Sequence, residues 1–153
     1  MRLLLDTHVI VWAAGEAGRL DRRVARALTD PRNELWMSAI SAWELALLCE
    51  RGRLALRPDV GRWLEQAMSG LGVREAPLTA AIALESRQLD AATQDPADRF
   101  IVATARSYGC TLVTADAALR GVAGQADRTR SRRMGVRTHR TRSAGRAECP
   151  RMR

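Results

Sequence analysis

The chain has 153 residues, 46% of them hydrophobic, and its 25 basic residues against 17 acidic ones give a formal net charge of +8. A chain of this length is typical of one domain that buries its core without disulfide bridges. All the basic residues are arginine, which excludes mechanisms that depend on a lysine amine, such as a Walker phosphate-binding loop or a Schiff base.

The first half of the chain predicts two buried strands among four helices. Leu3–Leu5 is a short apolar run that stops at Asp6, and Leu35–Met37 is a second run of this kind. Such runs are typical of parallel strands that are buried on both faces. The predicted helices span 8–14, 21–29, 39–51 and 59–70, with Asp21 starting the second and with Gly52 and Gly70 closing the last two.

The second half continues the alternation of strands and helices. Strands are predicted at 73–75 and 111–113, and helices at 80–88 and 96–108. Thr79 and Asp95 precede the two helices as N-caps, and Pro96 occupies the first helical position after Asp95. Short strands that alternate with longer helices favour an α/β fold with a mostly parallel sheet. The four tryptophans, at positions 12, 36, 43 and 63, are expected in the core.

Two acidic residues directly follow predicted strands. Asp6 comes after Leu3–Leu5, and Asp116 comes after the strand that ends near Thr114. Because the carboxyl ends of parallel strands form the ligand crevice of an open sheet, both carboxylates face one site if the two strands are neighbours. The alternative for each residue is a turn or a helix cap.

Three more acidic residues lie on predicted helices. Glu44 falls on the apolar stripe of its helix, where an ionised carboxylate is costly unless a cation compensates it. That cation is either a metal ion or an arginine such as Arg51. Asp98 lies in the first turn of its helix, where its alternative role is to stabilise the helix dipole. Asp95 fits a structural N-cap.

The four residues Asp6, Glu44, Asp98 and Asp116 come from separate elements that can converge on one edge of the sheet. Such a cluster of negative charges either takes up protons or binds a metal ion. Ligation by oxygen alone favours Mg²⁺ or Mn²⁺ over zinc. A water polarised by such an ion can attack a phosphodiester, so the predicted chemistry is phosphodiester hydrolysis.

Four segments of the chain resemble the acidic motifs of PIN-domain proteins, and their order and spacing are most similar to VapC-type toxins of bacterial type II toxin–antitoxin systems. They are Met1–His8, Ser38–Leu45, Asp95–Ala103 and Thr111–Asp116. The resemblance covers residues 1–120 and implies a three-layer α/β/α sandwich. It also implies an Mg²⁺- or Mn²⁺-dependent endoribonuclease that cleaves tRNA or rRNA, with Asp6, Glu44, Asp98 and Asp116 as the acidic cluster. The resemblance implies that Thr114 and Ser38 support the metal or water, and that Asp95 is a supporting residue with a mainly structural role.

The resemblance further implies a homodimer and a cognate VapB-type antitoxin that presents a basic side chain to the acidic pocket. RNA contacts are expected from arginines near the site, namely Arg51, Arg53, Arg99 and Arg106. A second interpretation is a catalytically impaired binding module that engages the antitoxin, or RNA through its tail. We expect a cytoplasmic protein with no membrane span, because the apolar runs are short and the three cysteines favour neither a disulfide framework nor a zinc site.

The excess positive charge belongs to the final segment, 121–153. It holds ten arginines against only Asp127 and Glu148, whereas residues 1–120 are neutral. The segment lacks apolar periodicity, which predicts disorder when it is isolated. Either it is a basic arm that contacts RNA phosphates, or a frameshift in a GC-rich gene has replaced the native terminus.

Overall fold

A computed structural model describes residues 1–89 and 95–115 of the chain. Within these ranges four strands alternate with six helices and one short 3₁₀ turn at Ala17–Arg19. The strands are β1 (Arg2–Leu5), β2 (Glu34–Ser38), β3 (Val73–Ala76) and β4 (Thr111–Val113). The helices are α1 (Thr7–Gly15), α2 (Arg22–Thr29), α3 (Ala39–Glu50), α4 (Val60–Leu71), α5 (Ala80–Gln88) and α6 (Pro96–Tyr108).

The strands form one parallel sheet in the order β3-β2-β1-β4. In the register of the sheet, Leu4 lies between Trp36 of β2 and Leu112 of β4. Successive side chains of a strand point to opposite faces. Leu4 therefore joins one apolar cluster, while Leu3 and Leu5 join another on the opposite face. This two-sided burial explains why β1 is a continuous apolar run, and it confirms the predicted α/β fold.

Helices cover both faces of the sheet. On the face of Leu4, the buried side chains come from α5 and α6, and include Ile82, Ile101 and Val102. On the face of Leu5, Val9 and Ile10 of α1 are buried, and Trp63 of α4 packs against them. The architecture is therefore the three-layer α/β/α sandwich that the family resemblance implied.

Most helix ends follow from capping residues that the sequence identifies. Asp21, Thr79 and Asp95 each accept a hydrogen bond from a backbone N–H in the first turn of the following helix. The prediction that α4 ends at Gly70 is wrong. Its left-handed C-cap is Gly72, with φ of +67°, because a glycine inside a helix costs only about 1 kcal/mol relative to alanine and packing outweighs that cost.

One tryptophan departs from the expectation of burial. Trp43 on α3 is 56% exposed, whereas Trp12, Trp36 and Trp63 are partly buried. Helix α3 is apolar on nearly every face, and the core covers only the face that carries Ser41 and Leu45. The opposite face of α3 is therefore left uncovered.

Several predictions fall outside the described residues. These are the position of Asp116, the domain boundary at 120 and the conformation of the Arg-rich segment 121–153. Cys49 and Cys110 are free thiols in the described part of the chain. No helix in residues 1–89 or 95–115 is long and apolar enough to cross a bilayer.

Candidate active site

The carboxyl end of the sheet gathers residues from three neighbouring strands. Asp6 and Thr7 follow β1 directly, α3 begins immediately after β2, and Thr114 follows β4. Because β1 lies between β2 and β4, the residues after all three strands meet at one edge. This confirms that the strands preceding Asp6 and Asp116 are neighbours, which was the condition for a shared crevice.

Asp6 is held by a donor on each carboxylate oxygen. It is only 6% exposed, and it is the N-cap of α1. Its Oδ1 accepts a hydrogen bond from the backbone N–H of Thr7 at 2.7 Å, and its Oδ2 accepts one from the hydroxyl of Thr114 at 2.7 Å. Thr114, which was predicted to support the site, thus contacts this carboxylate directly and fixes its orientation.

Glu44 is half-buried beside Asp6. Its Oε2 accepts a hydrogen bond from the hydroxyl of Thr7 at 2.6 Å. Burial raises the pKa of the Glu44 carboxyl, and the charges of Asp6 and Asp95 raise it further, against the opposing effects of the Thr7 hydroxyl and of His8. No arginine of the described chain forms an ion pair with Glu44. The alternative of an Arg–Glu salt bridge through Arg51 is therefore wrong.

Thr7 is a site residue that reasoning from the sequence missed. Its side chain is fully buried, and it contacts Asp6 through its backbone and Glu44 through its hydroxyl. Thr7 and Glu44 are 37 residues apart, so local patterns carry no signal of their contact. The only available signal was a hydroxyl residue directly after a strand-ending aspartate.

The first turn of α6 also approaches this edge. Asp95 accepts a hydrogen bond from the N–H of Ala97 at 2.8 Å, which confirms its structural role as N-cap. Its charge nevertheless contributes to raising the pKa of the Glu44 carboxyl. Asp98 lies in the first turn of α6 and is half-buried, and its convergence with Asp6 and Glu44 stays a prediction.

Ser38 lies between α3 and α6 rather than at the solvent-facing part of the site. Its side chain is fully buried. Its hydroxyl accepts a hydrogen bond from the N–H of Ile40 at 3.3 Å and lies 3.1 Å from the hydroxyl of Thr104. These contacts start α3 at a fixed position and thereby place Glu44, which lies farther along this helix.

The arginines predicted to contact RNA have different surroundings. Arg51 and Arg53 are exposed in the turn after α3. The guanidinium of Arg99 donates hydrogen bonds to the carbonyls of Ser86, Arg87 and Leu89, at 2.9, 3.2 and 2.7 Å. Arg99 thus closes the C-terminal end of α5, where backbone carbonyls lack partners within the helix. A contact of Arg99 with RNA stays a prediction.

The donor chemistry of this edge suits a hard cation. Carboxylate and hydroxyl oxygens of Asp6, Glu44, Thr7 and Thr114 are the kinds of ligand and supporting group that Mg²⁺ and Mn²⁺ prefer. In residues 1–89 and 95–115, no group of three His, Cys, Asp or Glu side chains could hold a metal ion together. Asp116, the fourth predicted member of the acidic cluster, lies outside these ranges.

The chain matches a family model, a curated protein and a solved structure. The family model described as "PIN domain" matches residues 3–125. The chain is 40% identical over 119 residues to Ribonuclease VapC22 of Mycobacterium tuberculosis, an alignment that covers 77% of this chain and 89% of the relative. A chain in the crystal structure of VapBC2 from Rickettsia felis bound to a DNA fragment from their promoter has the same fold, with a TM-score of 0.60 and 16% identity. That match covers 80% of this chain and 93% of the other.

Proposed function

Because this chain belongs to the PIN-domain family of VapC-type ribonucleases, we propose that it is an endoribonuclease toxin that hydrolyses phosphodiester bonds of RNA, with tRNA or rRNA as substrate. One observation supports this most directly: Asp6 and Glu44 lie side by side at the carboxyl end of a parallel sheet, joined by Thr7. Ligand sites of open α/β sheets lie in this position.

The proposed cofactor is Mg²⁺ or Mn²⁺, held by Asp6 and Glu44 together with Asp98 and Asp116. The elevated pKa of Glu44 supports a cation here, because the carboxylate is half-buried next to Asp6 and forms no ion pair with an arginine of the described chain. When bound, the ion supplies a polarised water for attack on the phosphodiester and stabilises the leaving oxygen.

The protein itself fixes the orientation of the two carboxylates and creates a negative charge that a cation must balance. Thr114 and the backbone of Thr7 orient the two oxygens of Asp6, and the hydroxyl of Thr7 holds Glu44. Without a cation, these carboxylates would repel the phosphates of RNA. The same groups that hold the ion therefore make RNA binding dependent on it.

We also propose a VapB-type antitoxin as partner. Glu44 and Asp6 form an acidic pocket in which neither carboxylate is ion-paired with an arginine of the described chain. A basic side chain from a partner can neutralise this charge and occupy the place of the cation. The proposed inhibition is therefore competition between an antitoxin arginine or lysine and the metal ion.

A homodimer is proposed from the uncovered face of α3. Trp43 is 56% exposed, and Ile40 and Leu47 are only partly buried on either side of it at helical spacing. A helix that is apolar all round is normally buried. A second copy of the chain, packed along this face, would remove the stripe from water.

The experiment that tests the nuclease assignment is RNA cleavage by the full chain with Mn²⁺. Asp6→Asn and Glu44→Gln should each lower the rate by about 100-fold or more, the scale seen when a single charge-stabilising group is lost from an active site. Glu50→Gln, which changes an exposed acid on the same helix, is the matched control and should cleave normally. Wild-type protein that cuts no RNA, yet binds it through the tail, would support the binding-module interpretation instead.

A further inference from the structure

The two carboxylates of the site are joined by a single residue, Thr7. Its side chain has no exposed surface. The backbone N–H donates to Asp6 Oδ1 at 2.7 Å, and the hydroxyl Oγ1 donates to Glu44 Oε2 at 2.6 Å. Thr7 is thus the point at which α1 and α3 are connected inside the acidic pocket.

The direction of the second hydrogen bond follows from chemistry. A hydroxyl has one proton to donate, and the neighbouring carboxylate oxygen of Glu44 is the stronger acceptor. Threonine within a helix commonly bonds to the carbonyl three or four residues earlier. Thr7 is the first residue of α1, so no earlier carbonyl of its helix lies at that spacing, and its hydroxyl is available to a different element.

This contact opposes the repulsion inside the pocket. Two neighbouring carboxylates repel one another, and the hydrogen bond from the Thr7 hydroxyl to Glu44 Oε2, 2.6 Å long, holds Glu44 in place against that repulsion. Glu44 forms no other side-chain hydrogen bond within the described ranges. Thr7 therefore provides the side-chain hydrogen bond that restrains the Glu44 carboxylate in this part of the chain.

We infer that Thr7 is a positioning residue that holds Glu44 beside Asp6 and thereby prepares Glu44 to bind the proposed divalent cation. The inference rests on the proposed function, since it assigns to Thr7 the preparation of the proposed metal site. Thr7 need not touch the ion. Groups that orient metal-binding side chains in this way typically change metal affinity by about 10- to 100-fold when they are removed.

Two substitutions separate the hydroxyl from the rest of the residue. Thr7→Val keeps the branched shape and the backbone N–H that holds Asp6, and removes only the donor to Glu44. Thr7→Ser keeps the donor and removes a methyl group. Thr7→Ala removes both the hydroxyl and the methyl group. Comparing it with Thr7→Val separates the loss of the hydroxyl from any effect of the shape or polarity of valine.

The measurement is Mn²⁺ affinity of the full chain, by isothermal titration calorimetry or by the electron paramagnetic resonance signal of free Mn²⁺. Thr7→Val and Thr7→Ala should weaken Mn²⁺ binding about 10- to 100-fold, while Thr7→Ser should bind close to wild type. Adding Thr7→Val to Glu44→Gln should cause no further weakening, because the side chain that Thr7 positions is then no longer a carboxylate ligand. Far-ultraviolet circular dichroism confirms that each variant is folded.

Two results would overturn the inference. One is folded Thr7→Val that binds Mn²⁺ as wild type does, and the other is Thr7→Ser that binds as weakly as Thr7→Val. If Thr7→Val fails to fold, the comparison of Thr7→Ser with Thr7→Ala decides in the same way. Failure of the proposed function looks different: Asp6→Asn and Glu44→Gln would then bind Mn²⁺ with unchanged affinity.

Discussion

Replacing Arg99 tests whether this arginine stabilises the fold or contacts RNA. Its guanidinium donates to three carbonyls at the end of α5, at 2.9, 3.2 and 2.7 Å. A hydrogen bond from a charged donor contributes about 1.5–3 kcal/mol, and partial exposure of Arg99 reduces the sum of the three. We expect Arg99→Met, which keeps the apolar stem, to lower the free energy of unfolding by about 3 kcal/mol.

The assay is thermal and urea denaturation of the full chain without metal. A loss of about 3 kcal/mol corresponds to a melting temperature lower by about 6–12 °C for a protein of this size. The melting temperature of Arg99→Lys should fall between those of the wild type and Arg99→Met, because one ammonium group cannot reach three carbonyls. Arg87→Met, at an exposed position of α5, should cost less than about 1 kcal/mol. The reasoning is refuted if Arg99→Met melts with the wild type, and an RNA contact is indicated if it then binds RNA more weakly while Arg99→Lys does not.

Three further predictions concern the site, one helix end and the uncovered face. Burial raises the pKa of the Glu44 carboxyl from its ordinary value of 4.5, so the metal-free protein should lose stability as pH rises through the pKa of the folded state. Denaturation curves from pH 4 to 8 should show this loss for the wild type and not for Glu44→Gln. The same pH profile for both proteins would contradict the prediction. Gly70→Ala should stabilise α4 by up to about 1 kcal/mol, whereas Gly72→Ala should destabilise it by about 1 kcal/mol because φ is +67° there. If both substitutions change the free energy of unfolding in the same direction in urea denaturation, the helix does not end at Leu71. Trp43→Ser should convert the proposed dimer to a monomer in sedimentation velocity, and a dimer that persists would place the interface elsewhere.

The elements of the fold could be predicted because each depends on neighbours in the chain. Leu3–Leu5 is apolar without a break since β1 is buried on both faces, and Asp95 with Pro96 marks the start of α6 by local hydrogen bonding. The end of α4 could not be predicted in the same way. Gly70 and Gly72 are equally plausible stops in the sequence, and only packing of Leu71 against the core decides between them.

The site could be predicted only in part, because some of its contacts join residues that are far apart in the chain. Glu44 was identified because a carboxylate on an apolar helical face conflicts with its surroundings, and that conflict is visible in the sequence. The hydroxyl of Thr7 and the guanidinium of Arg99 present no such conflict, because threonine and arginine are ordinary at helical positions. Their partners lie across the fold, at Glu44 and at the end of α5, and contacts of this kind follow from the tertiary arrangement.

The hydrogen bond from Thr114 to Asp6 joins residues that are 108 positions apart. A ribosome delivers Asp6 at the very beginning of translation and Thr114 more than a hundred codons later. Until β4 leaves the exit tunnel and pairs with β1, one oxygen of Asp6 has no hydroxyl to orient it. A growing polypeptide would therefore fix the orientation of the Asp6 carboxylate only after most of residues 1–114 had been synthesised.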